Sequence, residues 1–224
     1  MLRGAAAAQK GGFRKLQRRV FRRARLRGLI GDKPELALDA TGLDSRHASR
    51  HYARRNKSKR FPMRRFTLLA VACHTKSHLI AAAEVAVGPT NESPFFGDLV
   101  GEAGQHALWD RLLADAAYDA EAHHQTARFF GRRSAVIPLN RRGAGRKWPR
   151  TKYRRQMVRR FRRKPKGSRH RRVYGQRWQA ESVFSRNKRL LGAALRSRSD
   201  ESRERECLLR VLAHNLMLLA AAEN

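Results

Sequence analysis

The stretch YGQRWQAESVFSRNK, Tyr174 to Lys188, decides how the rest of the chain is read. Its Tyr174, Arg177, Glu181 and Lys188 are separated by three, four and seven residues. On a helix that turns about 100° per residue, all four fall within an arc of roughly 60°. One helix face therefore carries a carboxylate flanked by two cations and a phenol. A carboxylate suits a divalent cation, whereas guanidinium and ammonium groups suit phosphates. Mixed charges on a helix are most often a solvated face, so the remainder of the chain has to decide between the two.

Composition favours the phosphate reading. The 224 residues carry 51 Lys and Arg against 18 Asp and Glu, a formal charge of +33. A compact protein of that charge needs a polyanionic partner. Hydrophobic residues make up 41%, enough for a packed core. Nucleic acid is the first-choice partner and an anionic membrane surface the second. Arg outnumbers Lys, which favours bidentate phosphate contacts. Cys73 and Cys207 are isolated and form neither a disulfide framework nor a zinc-finger spacing. A reducing, cytoplasmic compartment follows. No apolar run is long enough to span a bilayer. The first 33 residues are basic and lack the apolar segment of a secretory signal. They read as an N-terminal arm that contacts DNA or is disordered, with one amphipathic helix suggested by Phe13, Leu16, Val20 and Phe21.

Residues 34–224 read as one domain of alternating elements. Strands are expected at Glu35–Thr41, at Arg64–His74 and His78–Val87 as a hairpin, at Arg111–Asp115 and at Ser134–Leu139. Helices are expected at Ser93–Ala107, at Glu121–Phe130 ended by Gly131, around Tyr174–Lys188, and at Arg203–Ala221. Gly42–Arg60 reads as a polar, basic connection. A mixed sheet flanked by helices, an α/β fold, follows from that order. Residues 140–172 interrupt it with 17 of the 51 cationic side chains and no acid. Trp148, Tyr153 and Phe161 are interleaved with those cations, the composition of a segment that tracks phosphates and stacks on bases. A charged disordered loop is the alternative. Trp148, Arg154 and Arg155 are its candidate DNA contacts.

Acids are scarce, so their positions carry information. Asp39 lies inside an apolar strand, where a lone carboxylate is costly unless something compensates it. Asp115 closes the LLAD run, and Glu181 lies on the cationic helix face. If the two strands are neighbours, both aspartates emerge at one edge, and a packed helix adds Glu181. Three like charges repel unless divalent cations neutralise them. Two Mg²⁺ ions about 3.5–4 Å apart are the usual device for phosphodiester chemistry.

LALDATGL at 36–43, LLADAAYDAE at 112–121 and Y-x2-R-x3-E-x6-K at 174–188, in that order, resemble the DDE transposases of bacterial insertion sequences. The likeness runs from about Leu36 to Ala220 and includes Gly88-Pro89, Ile137-Pro138 and HNLM at His214–Met217. It implies an RNase H-like core, with 140–172 as a basic insertion before the glutamate helix. It also implies that Asp39, Asp115 and Glu181 are catalytic metal ligands for Mg²⁺, with Mn²⁺ as the alternative ion. Tyr174, Arg177, Lys188 and Arg189 would hold double-stranded DNA, both transposon end and target. A homodimer on paired ends and a nucleoid-associated location in the bacterial cytoplasm go with that likeness. Asp44 and Asp119 are the rivals for the aspartate roles. Both lie beyond the strand ends, and Asp119 stands where an acid would serve as a helix cap.

Only 38 residues precede Asp39, fewer than such enzymes usually devote to recognising their element's ends, and no helix-turn-helix pattern is evident. An N-terminally truncated or minimal transposase is the expectation. The alternative is a catalytically inactive, transposase-derived DNA-binding protein, and a basic RNA-bound structural protein ranks third. Cys73, His74 and His78 lack a fourth ligand for zinc, and strand alternation turns Cys73 away from the two histidines. His123 and His124 have no nucleophile nearby for a hydrolase triad. His214 reads as a core histidine, and Leu208, Leu209, Val211, Leu212, Leu216 and Leu219 as a core face.

Overall fold

The computed structural model describes residues 2–45, 66–106, 109–131, 135–140, 148–162 and 169–222. Helix α1 (Leu2–Leu26) leads into strand β1 (Glu35–Ser45) and the hairpin of β2 (Phe66–His74) and β3 (Ile80–Gly88). Next come α2 (Phe96–Gly104), β4 (Arg111–Leu113), α3 (Glu121–Phe130) and β5 (Ala135–Val136). Two basic helices, α4 (Lys152–Arg162) and α5 (Arg169–Gly175), precede α6 (Gln179–Leu191), β6 (Ala194–Leu195) and α7 (Asp200–Ala221). The six-stranded sheet has the order β3-β2-β1-β4-β5, with β6 pairing the far end of β1. The β1–β2 and β2–β3 pairings are antiparallel, while β1–β4, β4–β5 and β1–β6 are parallel. This mixed sheet flanked by helices is the RNase H-like arrangement expected from the sequence.

Strand alternation sorts β1 onto two faces. Leu36 and Leu38 enter one core with Val20, Phe21 and Ala24 of α1, with α2, and with Trp109 and Tyr118. Ala37 and Leu43 enter the opposite core with Val71, Ala180, Val183 and Phe184. Asp39 has the parity of Ala37, so it lies on the face covered by α6. Parity alone thus puts the first acid under the helix that carries Glu181. β1 runs four residues beyond its expected end, because Gly42 and Leu43 pair with Leu68 and Thr67, and Asp44 and Ser45 pair with β6. The rest of the polar connection, from residue 46 to 60, lies outside the described residues.

The N-terminal helix packs onto the fold instead of standing apart as an arm. Its core face is Gln17, Val20, Phe21 and Ala24, and Leu16 is exposed. Gln17 is fully buried and donates from Nε2 to the Ile80 carbonyl at 3.1 Å. Asn215 of α7 accepts the Ile80 N–H at 2.8 Å and donates to the Ile80 carbonyl at 2.9 Å and to Gln17 at 3.0 Å. Two amides thereby satisfy one strand residue's backbone and each other, as burial requires. A polar residue at position 17 disguised this face in the sequence.

Helix ends follow local chemistry. Ser199 caps α7 by accepting the Ser202 N–H at 3.2 Å, with Asp200 and Glu201 in the first turn. Gly192 ends α6 at φ 94°, a left-handed conformation that favours glycine, and the chain turns there into β6. Gly131 stops α3, and a Cβ there would collide with the Trp109 indole and the Ala127 carbonyl. On α7, Leu208, Val211 and Leu219 are buried as expected, but Leu209 and Leu216 face outward. No helix among the described residues is long and apolar enough to cross a membrane.

Candidate active site

The parallel register Ala37↔Leu113 sets Asp39 and Asp115 at the same level, two residues beyond the last β1–β4 pair, where Asp115 leaves the sheet and β1 continues against β2. Asp115 begins a 3-10 turn (Ala116–Tyr118), and its Oδ1 accepts the Ala117 N–H at 2.7 Å. Asp39 Oδ1 accepts the Ala40 N–H at 3.0 Å, and its Oδ2 accepts Arg177 Nη1 at 3.3 Å. Arg177 Nη2 donates to Glu181 Oε1 at 2.7 Å. One guanidinium therefore bridges the strand acid and the helix acid.

The helix face read from the sequence is present, with a break in its backbone. Tyr174 ends α5, a 3-10 turn (Gln176–Trp178) carries Arg177, and Glu181 opens α6. Tyr174 lies near enough to Arg177 for the guanidinium charge to pull its phenol down against burial. Lys188 reaches back over the strand, where its Nζ donates to Thr41 Oγ1 at 2.8 Å. Asp39, Thr41, Glu181, Ser185, Lys188 and Arg189 line an open groove of about 560 Å³. Arg177, Glu181 and Lys188 thus converge on the Asp39–Thr41 stretch of β1.

Electrostatics marks the same place. Burial pushes the Asp39 carboxyl up, Arg177 and the Ala40 N–H pull it down, and Asp115 and Glu181 push it up again; the net shift is upward. The Tyr174 phenol is also raised, first by burial. Glu92, on the link between β3 and α2, is raised to about 7 by burial and by the charges of Asp115 and Asp39. The Tyr118 phenol, buried alongside, is raised by burial and then by Glu92, Asp39 and Asp115. Even with Arg177 present, the site is short of positive charge. Sequence reading missed Glu92 and Tyr118. The scarcity of acids could have flagged Glu92, but no periodicity points to it.

These donors suit a hard divalent cation in kind and in charge. As the side chains stand, Arg177 occupies the space between two of them. Among the described residues, no three His, Cys, Asp or Glu side chains converge tightly enough to enclose an ion.

The rival aspartates have other positions. Asp44 lies on the opposite face of β1 from Asp39 and is exposed. Asp119 does not cap α3, whose N-cap is Ala120 without a side-chain bond. Its side chain is 1% exposed and takes the fork of Arg154, Nε at 2.9 Å and Nη2 at 2.8 Å, together with the Asn140 N–H at 2.9 Å. Arg154, a candidate DNA contact, is thus bound to a carboxylate. Glu121 accepts the N–H groups of Tyr153 and Arg154 at the start of α4, and these hold it below the usual range although burial works the other way. Arg128 lies over the Tyr153 ring at 3.7 Å. Arg155 and Trp148 are exposed. Residues 141–147 and 163–168 of the basic insertion lie outside the described residues.

The set-aside histidines have structural partners. His74 Nδ1 accepts the Ser77 N–H at 3.2 Å, His78 pairs with Gln179 at 2.7 Å, and His214 Nε2 meets the His78 carbonyl at 3.0 Å. Cys73 is fully buried, and burial pushes its thiol up to about 12.

The profile of the transposase DDE domain family matches residues 30–216, which spans β1, the Asp115 loop, the glutamate helix and most of α7. No curated protein and no solved structure matches the chain. With a match over most of its length, the chain belongs to the transposase DDE domain family, whose members bind DNA and act as nucleases and strand transferases.

Proposed function

We propose that this chain cuts DNA strands at the ends of an insertion sequence and joins them to a target, with residues 34–224 as the catalytic unit. Asp39, Asp115 and Glu181 are its metal ligands, and Mg²⁺ is the cofactor, with Mn²⁺ as the alternative. The observation that carries this reading is the Arg177 guanidinium, which bridges Asp39 at 3.3 Å and Glu181 at 2.7 Å on the face of β1 covered by α6. Asp39, Asp115 and Glu181 would hold divalent ions, which would supply Lewis acidity to the reacting phosphodiester.

The chain's own residues do the rest. Arg177 exchanges its carboxylates for a phosphate of the scissile strand, a bidentate match for its geometry. Lys188 and Arg189, on the groove wall, fix the adjoining phosphates, and Tyr174 orients Arg177. Trp148 and Arg155 extend the contact along the basic segment, while Arg154 works indirectly by fastening α4 to Asp119. In the cutting step, the oxygen of water bonds to phosphorus and the 3′-oxygen leaves with the bonding pair and gains a proton. In the joining step, that 3′-hydroxyl attacks a target phosphodiester, so one P–O bond forms as another breaks.

The test is to incubate the purified chain with duplex carrying the element's ends and Mg²⁺. Nicks are expected, and Asp39→Asn or Glu181→Gln should abolish them. Nicking that survives both changes refutes the ligand assignment. Salt-sensitive, sequence-indifferent binding without cleavage in Mg²⁺ or Mn²⁺ makes the chain an inactive DNA-binding relative.

A further inference from the structure

A second cationic feature lies at the opposite end of the sheet, near the start of β1. An open cavity of about 360 Å³ is lined by Arg18, Phe21, Arg22 and Arg25 of α1 and by Gln105 and His106 after α2. Arg18, Arg22 and Arg25 are spaced i, i+4, i+7, so they share an arc of roughly 60°. All three are exposed. Other arginines are spent on carboxylates: Arg14 on Glu84 and Glu102, Arg111 on Glu35, Arg154 on Asp119. Arg18, Arg22 and Arg25 have no carboxylate partner among the described residues; Arg18 makes only a 3.5 Å bond to the Arg14 carbonyl.

The cavity also has a polar floor. His106 is 9% exposed, stacks on Phe21 at 4.7 Å with ring planes 17° apart, and lines the cavity. Neither of its ring nitrogens has a hydrogen-bond partner of proper geometry among the described residues, and burial first, then the Arg18 charge, hold the ring down to about 4, so it is neutral with one N–H to donate. An unsatisfied buried imidazole is costly. Beneath three unspent guanidiniums, it is a donor waiting for an acceptor.

The geometry points to a phosphate-binding site here that takes the sugar–phosphate backbone of duplex DNA, separate from the carboxylate groove. The ligand class rests on the family's DNA binding; the location rests on the cavity alone. Guanidiniums at helical spacing match successive phosphate oxygens of one strand, and a site at the far end of the sheet engages a different stretch of duplex from the one being cut. The site reads backbone and not bases, so its contribution is independent of sequence.

The experiment titrates a generic duplex into the full chain across a range of salt concentrations, by fluorescence anisotropy. Arg22→Gln/Arg25→Gln is compared with Arg19→Gln/Arg23→Gln, which removes the same charge from a face of the same helix about 110° further round. The cavity pair should weaken binding roughly tenfold at moderate salt and lower the slope of log K against log salt by about two. The control pair should change either quantity by less than half as much. Adding duplex should also shift the His106 ring resonances of the intact chain. Equal losses in the two variants, or an unmoved His106, overturn the site while leaving the catalytic reading intact. A wild-type chain that binds no duplex overturns both.

Discussion

Asp115 and Asp119 stand four residues apart in one loop, yet they have opposite fates. Asp119 is almost wholly buried, and its charge is met by the Arg154 fork. Asp115 is half-buried; burial comes first in raising Asp39, Glu92 and Tyr118, and the Asp115 charge adds to each. The lesson concerns which charge is already matched. A carboxylate with a fork-bound arginine is part of the scaffold, whereas one that burdens its neighbours is available for chemistry. A loop of five residues holds one of each.

The comparison breaks most visibly at the sheet edge. Asp39→Asn and Asp115→Asn should each cut nicking by at least about a hundredfold, since a lost ligand removes several kcal/mol of charge stabilisation. Both should melt at or above the wild-type temperature, because relieving crowded like charges favours the fold. A melting temperature that falls as far as activity does would make these residues scaffold instead.

Asp119→Asn should do the reverse. Breaking a largely buried fork costs about 2–3 kcal/mol of stability, discounted for the partial exposure of Arg154. Urea unfolding measures it, and restoring the loss with Arg154→Met in the same chain would show that the unpaired cation was the cause. The pH response sharpens the contrast at a third acid. Glu102 is buried beside Arg14 at 3.7 Å and is raised to about 7, first by burial. A carboxyl whose folded pKa lies above its unfolded value stabilises below the unfolded pKa, and that stability is lost as pH rises. Between pH 4.5 and about 7, wild type should therefore lose stability on the order of 1–3 kcal/mol relative to Glu102→Gln, with the gap constant above. The smallest effect is expected at Arg128, whose stack over Tyr153 joins the same clamp. Arg128→Gln should cost about 0.5–1 kcal/mol in the same unfolding assay.

What the sequence made legible was whatever periodicity or composition encodes locally. Two-residue alternation put Asp39 on the face opposite Leu36 and Leu38, and helical spacing brought Glu181 and Lys188 to one groove, with Arg177 bonded to Glu181 despite the 3-10 turn. Hairpin, helix order and the Gly131 stop follow from the same local signals. The remainder depended on partners distant in sequence. Asp119 and Arg154 are 35 residues apart, so nothing local distinguishes a clamp from a cap at Asp119 or from a DNA contact at Arg154. Glu92 owes its significance to a fold that brings it near Asp115. Gln17 was hidden for a simpler reason: a buried amide breaks the apolar pattern of α1 and makes sense only once Asn215 and Ile80 supply its bonds.

That amide pair has a consequence for self-association. β3 is the sheet's outermost strand, and the unpaired side of an outermost strand is a template on which another chain could add a strand. At Ile80, where that rim begins, the N–H and the carbonyl are already taken by side chains from the first and last helices. Amides from the first and last helices thus close the Ile80 end of that rim to strand addition.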